Sequence, residues 1–185
     1  MRKVVALIKG FPGHPSHPPL TDVSIGAYTV GTLMLVLGAL DVEREQMAHG
    51  GLLAISGGLL LALPTALTGL ADWRDLPRGT PARTTATIHL LVMASATLGF
   101  AVAWLLQRPG YLDGDVRTGG WLAAVVAELL LAVGGYIGGT IVFVHGHRVL
   151  GDAEVPLRQA LSPSPPRPTR NGGAAPSAIH TRTQQ

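Results

Sequence analysis

The sequence predicts an all-α integral membrane protein: a four-transmembrane-helix bundle with an N-terminal Pro/His-rich segment and a disordered C-terminal tail. Three observations carry this expectation. Apolar residues make up 47% of the chain and charged residues only 14%, whereas a soluble domain carries about 25% charged residues. Four long apolar stretches are separated by charged or Pro/Gly-bearing breaks. The three tryptophans, Trp73, Trp104 and Trp121, fall at or near the ends of those stretches, as the aromatic belts of membrane interfaces do.

Residues 1–21 form the leading segment, expected on the cytoplasmic side. Its first apolar run, Val4–Ile8, has five residues, shorter than the core of about 7–15 that a secretory signal needs, so no cleaved signal is expected. The stretch KGFPGHPSHPPLTD at 9–22 follows. His14 and His17 each precede a proline, which drives the backbone toward extended or polyproline conformation. At ~3 residues per turn and ~3.1 Å per residue, their imidazoles would share an edge ~9 Å apart. That spacing suits one ligand plus one neighbouring group better than a chelating pair.

The spans are expected at 23–40, 48–71, 86–106 and 121–144. Each has about the 17–25 residues needed to cross a bilayer core, and the fourth would be ~36 Å long at ~1.5 Å per residue. In lipid only helices and closed barrels satisfy the backbone, and unbroken apolar runs of this length are helical rather than alternating. The intervening breaks are 41–46, 72–83 and 107–120. Pro64 predicts a kink in the second span, with Thr65 and Thr68 available to the freed carbonyls. The transmembrane domain is thus 22–150. Residues 151–185, rich in Pro, Ser, Gly and Thr, cannot build a core and are expected as a disordered tail. No internal repeat is visible in the sequence.

The charges give an orientation. Arg2, Lys3, Lys9, Arg74, Arg78, Arg83, Arg148 and Arg158 share one face; Arg44, Arg108 and Arg117 share the other. Counting basic residues within about 15–20 of a helix end, the positive-inside bias puts both termini in the cytoplasm of a bacterial inner membrane. The same bias accounts for the sequence pI near 9.8 without nucleic acid, for which no motif is present. The absence of cysteine excludes disulfides, thiolate metal sites, iron–sulfur ligation and covalent c-type haem. No catalytic triad, P-loop, dinucleotide fingerprint or HExxH appears, so no reaction is assigned.

The histidines are the chemical feature. His14, His17, His89, His145 and His147 belong to the face expected in the cytoplasm, and His49 to the other. Each taken singly also fits interfacial packing. Gly138 and Gly134 lie seven and eleven residues before His145, on one helical stripe. A flat macrocycle could lie there, but the two overlapping GxxxG spacings of 134–139 equally bring helices together. Arg74, Arg78, Arg83 and Arg148 could bind haem propionates or lipid headgroups, and they are also ordinary flanking residues. Asp72, four residues after Thr68, could cap the second helix or orient a histidine. Glu128 is the one carboxylate well inside an apolar span, a costly placement that by default marks function.

Several of these residues group into motifs. Gly13-His14-Pro15-Ser16-His17-Pro18 resembles the GHPxHP opening of a bacterial membrane family, the domain of unknown function numbered 2231. Leu63–Trp73 is similar to that family's LPxxxTGLxDW, Ile88-His89 to its third-helix histidine, and Gly134–Gly139 with Val144-His145-Gly146 to its GGYxGG…HG ending. The resemblance covers about 10–150. Thr140 and Gly146-His147-Arg148 depart from the usual pattern. Family members occur alone or joined to Rieske or c-type cytochrome domains, which implies membrane electron transfer; this chain, without cysteine, has no such centre of its own.

The function expected first is therefore a b-type haem or redox-metal module for membrane electron transfer. His89 and His145 would be the axial pair and His14 a substitute or third ligand, with a redox protein or quinone as electron partner. Two alternatives stand beside it. One is a non-haem transition-metal site drawn from His14, His17, His89, His145 and Asp72, since neutral imidazole suits zinc, copper and iron alike. The other is a structural or assembly subunit with no cofactor.

Overall fold

The computed structural model describes residues 8–11, 14–149, 158 and 161. Apart from Arg158 and Leu161, the expected tail at 151–185 lies outside the described residues. A short antiparallel hairpin comes first: β1 (Gly10–Phe11) pairs with β2 (His14–Pro15), Phe11 opposite His14. Four helices follow: α1 (His17–Ala39), α2 (Arg44–Asp75), α3 (Pro81–Asp113) and α4 (Thr118–Phe143). All four are long and apolar enough to cross a membrane. Large apolar side chains such as Leu60, Leu98 and Leu129 face outward with 65–69% of their surface open, as a lipid-facing surface requires.

The helices are longer than their apolar cores. α1 begins at His17, so this residue is helical and does not form a polyproline edge with His14; Pro18 and Pro19 occupy the first turn, where proline's missing N–H costs nothing and its fixed φ favours the helix. α3 begins where Thr80 caps it, its hydroxyl accepting from the Arg83 N–H at 3.2 Å, with Pro81 next in line. At its far end α3 runs through Pro109 to Asp113 instead of breaking at Gln107. Gln107 is fully buried and holds the turn into α4: its amide donates to the Asp115 carbonyl at 2.8 Å, and its Oε1 accepts from the Arg117 N–H at 2.9 Å. Trp104 therefore lies inside α3, donating to the Ser56 hydroxyl at 2.8 Å.

α1 packs most extensively on α2, and α3 on α4; thinner α2–α3 and α1–α4 contacts close the bundle. The aromatic rings of Tyr28 and Phe100 stack 4.0 Å apart at the centre, tying α1 to α3. Leu35, Ile55, Ala96 and Ala127 complete this core. Around Pro64, the Thr65 hydroxyl donates to the Leu61 carbonyl (2.7 Å) and the Thr68 hydroxyl to the Pro64 and Thr65 carbonyls (3.0 and 2.9 Å), so threonines serve the backbone next to the proline as the sequence predicts.

Lipid tails are as apolar as leucine, so helices in a membrane associate through close packing and hydrogen bonds rather than hydrophobicity. Gly31 and Gly51 give α1 and α2 that approach. A methyl at Gly31 would lie 2.7 Å from Ile55 Cγ1 and 3.0 Å from the Gly51 carbonyl oxygen. Gly31→Ala should destabilise the bundle by about 1–3 kcal/mol through overpacking. Gly135→Ala, where a methyl meets nothing within 4 Å, should change stability by no more than about 0.5 kcal/mol. Thermal unfolding of the purified protein in detergent measures both.

Candidate functional site

The end of the bundle at which α1 begins and α4 finishes collects the polar chemistry. Its outer layer is built by the turn after α4. The His145 N–H bonds the Thr140 carbonyl and the His147 N–H the Ile141 carbonyl, folding the chain back over the bundle. Gly146 and Arg148 both take left-handed backbone, φ 63 and 66. This turn delivers the Arg148 guanidinium to the Asp72 carboxylate. Asp72 is buried near the end of α2, and Arg148 compensates its charge. Lys9 reaches Asp75 at 2.6 Å and ties the N-terminal hairpin to the same corner. Arg83 is also used internally, donating to the Trp73 and Leu76 carbonyls and stacking 3.4 Å over the Trp73 ring. Arg74 and Arg78 are exposed.

Beneath this layer lie two half-buried histidines in matching surroundings. His17 on α1 places Nδ1 3.0 Å from the Thr65 carbonyl oxygen of α2, and its ring lies on Gly69, where a methyl would come within 2.7 Å of Cε1. His89 on α3 places Nδ1 2.8 Å from the Gly134 carbonyl oxygen of α4, and its ring lies on Gly138, where a methyl would come within 2.9 Å of Cε1. In both cases an imidazole near the start of one helix donates to a carbonyl on the next helix, and the glycine four residues further on makes room for the ring. The first hairpin of helices thus repeats the arrangement of the second, although no repeat is visible in the sequence.

The geometry fixes the tautomer. A carbonyl oxygen only accepts, so Nδ1 carries the hydrogen in both rings, and neutral imidazole then keeps its lone pair on Nε2. Metal-binding histidines are held in this way, with the remote N–H donated to a carbonyl or carboxylate.

The other sequence candidates are placed differently. His14 is exposed on the hairpin. His145 commits Nε2 to the Thr85 hydroxyl at 3.0 Å. Among the described residues no three His, Asp or Glu side chains, those of His14, His17, His89, His145 and Asp72 included, are grouped so as to hold one metal ion. The stripe of Gly134 and Gly138 receives the side chains of Met93 and His89, the close packing that GxxxG spacing permits. The parts that sequence reasoning missed are the His17–Thr65 and His89–Gly134 bonds and the Arg148–Asp72 pair. The shared four-residue step from Thr65 to Gly69 and from Gly134 to Gly138 was their one trace in the sequence.

The sequence profile of the predicted membrane proteins DUF2231 matches residues 13–151. The chain belongs to the DUF2231 family. The match begins just before the first histidine of the hairpin and ends just after the Arg148 turn, so the DUF2231 unit contains both histidine arrangements and the layer above them. No curated protein and no solved structure matches the chain.

His147 gives this end of the DUF2231 bundle a pH dependence. It lies beyond α4, partly buried, with Nε2 enclosed and unpartnered among the described residues. Burial lowers its pKa from the ordinary value; Asp72 and Asp75 oppose that effect, while Arg148 and Lys9 add to it. The unfolded chain therefore takes up this proton more readily than the folded one, and stability falls as pH drops through about 6.5. Unfolding followed from pH 8 to 5.5 should show this loss, and His147→Gln should flatten it.

Proposed function

We propose that the bundle is an electron-transfer module of the bacterial cytoplasmic membrane, with both termini in the cytoplasm, and that it binds a redox-active group through Nε2 of His17 and His89. The observation that carries this reading is the doubled arrangement: two half-buried imidazoles, each with Nδ1 spent on a carbonyl of the neighbouring helix. Helix bundles hold haem and metals between facing helices in this manner. The orientation follows the charge bias of the sequence, eight flanking basic residues against three.

The group is a transition-metal ion or a b-type haem; either supplies a one-electron carrier when bound. The packing favours the ion, because Met93 and His89 fill the glycine stripe against which a macrocycle would lie. His17 and His89 would supply the ligand nitrogens, and the Thr65 and Gly134 carbonyls would hold the rings in register. His145, bonded to Thr85, and the exposed His14 would stay outside the ligand set. A quinone or a partner redox protein would exchange the electron.

The test is a visible spectrum and elemental analysis of the protein purified from its native membrane. A Soret band marks haem; near-stoichiometric copper, iron or another transition metal without colour from haem marks the ion. Either signal should drop to background in His17→Ala and His89→Ala and persist in His14→Ala. Neither signal in the wild-type protein would leave a membrane assembly subunit whose histidines only pair helices.

A further inference from the structure

We propose that Glu128 is a proton-exchange site in the middle of the membrane, taking up and releasing a proton on Oε2 while Oε1 is held by the Thr29 hydroxyl of α1. Glu128 lies near the midpoint of α4, six residues before Gly134, the acceptor of His89. Its Oε1 accepts from the Thr29 hydroxyl at 2.8 Å across the α1–α4 seam. Its Oε2 is enclosed and has no hydrogen-bond partner among the described residues.

Two further orphans lie in the same stretch of α1. Tyr28 precedes Thr29, and Thr32 follows it by one turn. They are 2% and 6% exposed, and both their hydroxyls are enclosed without a hydrogen-bond partner among the described residues. Buried polar atoms are almost always hydrogen-bonded, so orphans grouped in one stretch signal a ligand or a chemical role. A carboxyl and hydroxyls offer hard oxygen atoms and exchangeable hydrogens, which is the chemistry of a proton carrier. A carboxylate in hydrocarbon without a counter-charge is costly, and no Lys, Arg or His of α1, α2 or α3 pairs with Glu128 among the described residues. Tyr28 is the other titratable group at this level: the charged residues of α2 and α3 lie toward the helix ends, and Asp22 lies two turns before Thr29 on α1.

The step is a simple acid–base exchange. A proton from water adds to Oε2 to form the acid O–H; on release that bond breaks and the proton passes to a water or hydroxyl oxygen, with no electron moved. The site sits at a seam that Thr29 leaves open to lipid, so a hydrophobic reagent can reach it.

Dicyclohexylcarbodiimide, which reacts with protonated carboxyl groups in apolar surroundings, tests this in detergent and in proteoliposomes, with the adduct mapped by mass spectrometry. We expect an adduct on Glu128 that declines as pH is raised. It should be absent in Glu128→Gln, which keeps the acceptor for Thr29 and should unfold at the wild-type temperature. No adduct on Glu128 at any pH would overturn the proposal. So would labelling suppressed by sodium at fixed pH, which would mark a cation site. Neither outcome depends on a bound redox group, so this result and the spectrum stand or fall separately.

Discussion

A hydrogen-bond donor inside a membrane has no water to turn to, and the DUF2231 bundle is organised around that constraint. The Nδ1–H groups of His17 and His89 find their acceptors on the neighbouring helix. Leaving either donor unsatisfied would cost about 1–3 kcal/mol, and no hydrophobic force between helices offsets such a loss in lipid. The two bonds join α1 to α2 and α3 to α4 at this end, and the close packing at Gly31 and Gly51 joins the first pair further along. Each needs a helix surface flat enough to take an imidazole ring, which is why a glycine follows each acceptor by one turn.

The same bond has a chemical consequence. By placing the hydrogen on Nδ1 it leaves Nε2 as the basic nitrogen, so the bond that joins the helices also sets the tautomer. Gly69→Ala or Gly138→Ala would push on the ring and disturb both together. The Asp72–Arg148 pair sits above this layer and closes it from outside; a left-handed backbone at a non-glycine residue is uncommon, and here it aims the guanidinium at the buried carboxylate.

The architecture was readable in the sequence because hydropathy over twenty residues averages out local detail. The four spans and the threonines beside Pro64 follow from residue type alone. The ends of the helices were not readable. Pro109 signals a break, yet α3 continues to Asp113, and the buried amide of Gln107 then satisfies the turn that follows, a tertiary contact that no local pattern encodes. The histidines could be grouped by face, but the choice among them turns on which nitrogen bonds to what. His145 and His89 look alike in sequence; one meets a hydroxyl through Nε2 and the other a carbonyl through Nδ1. At His17 the rule for residues before proline disfavours helix, whereas the prolines after it are well suited to a first turn.

The central helices have one more physical consequence. α2 and α3 contain 32 and 33 residues, roughly 48–50 Å at 1.5 Å per residue, against a hydrocarbon thickness of about 30 Å. At the far end Arg44 bonds Asp41 and Asp115 at 2.6 and 2.8 Å, a cluster that belongs among lipid headgroups. The surplus length must be taken up by tilt or by helix ends standing clear of the acyl chains. A bilayer of altered thickness would then be met by a lean of the pair, while the charged collar keeps its depth.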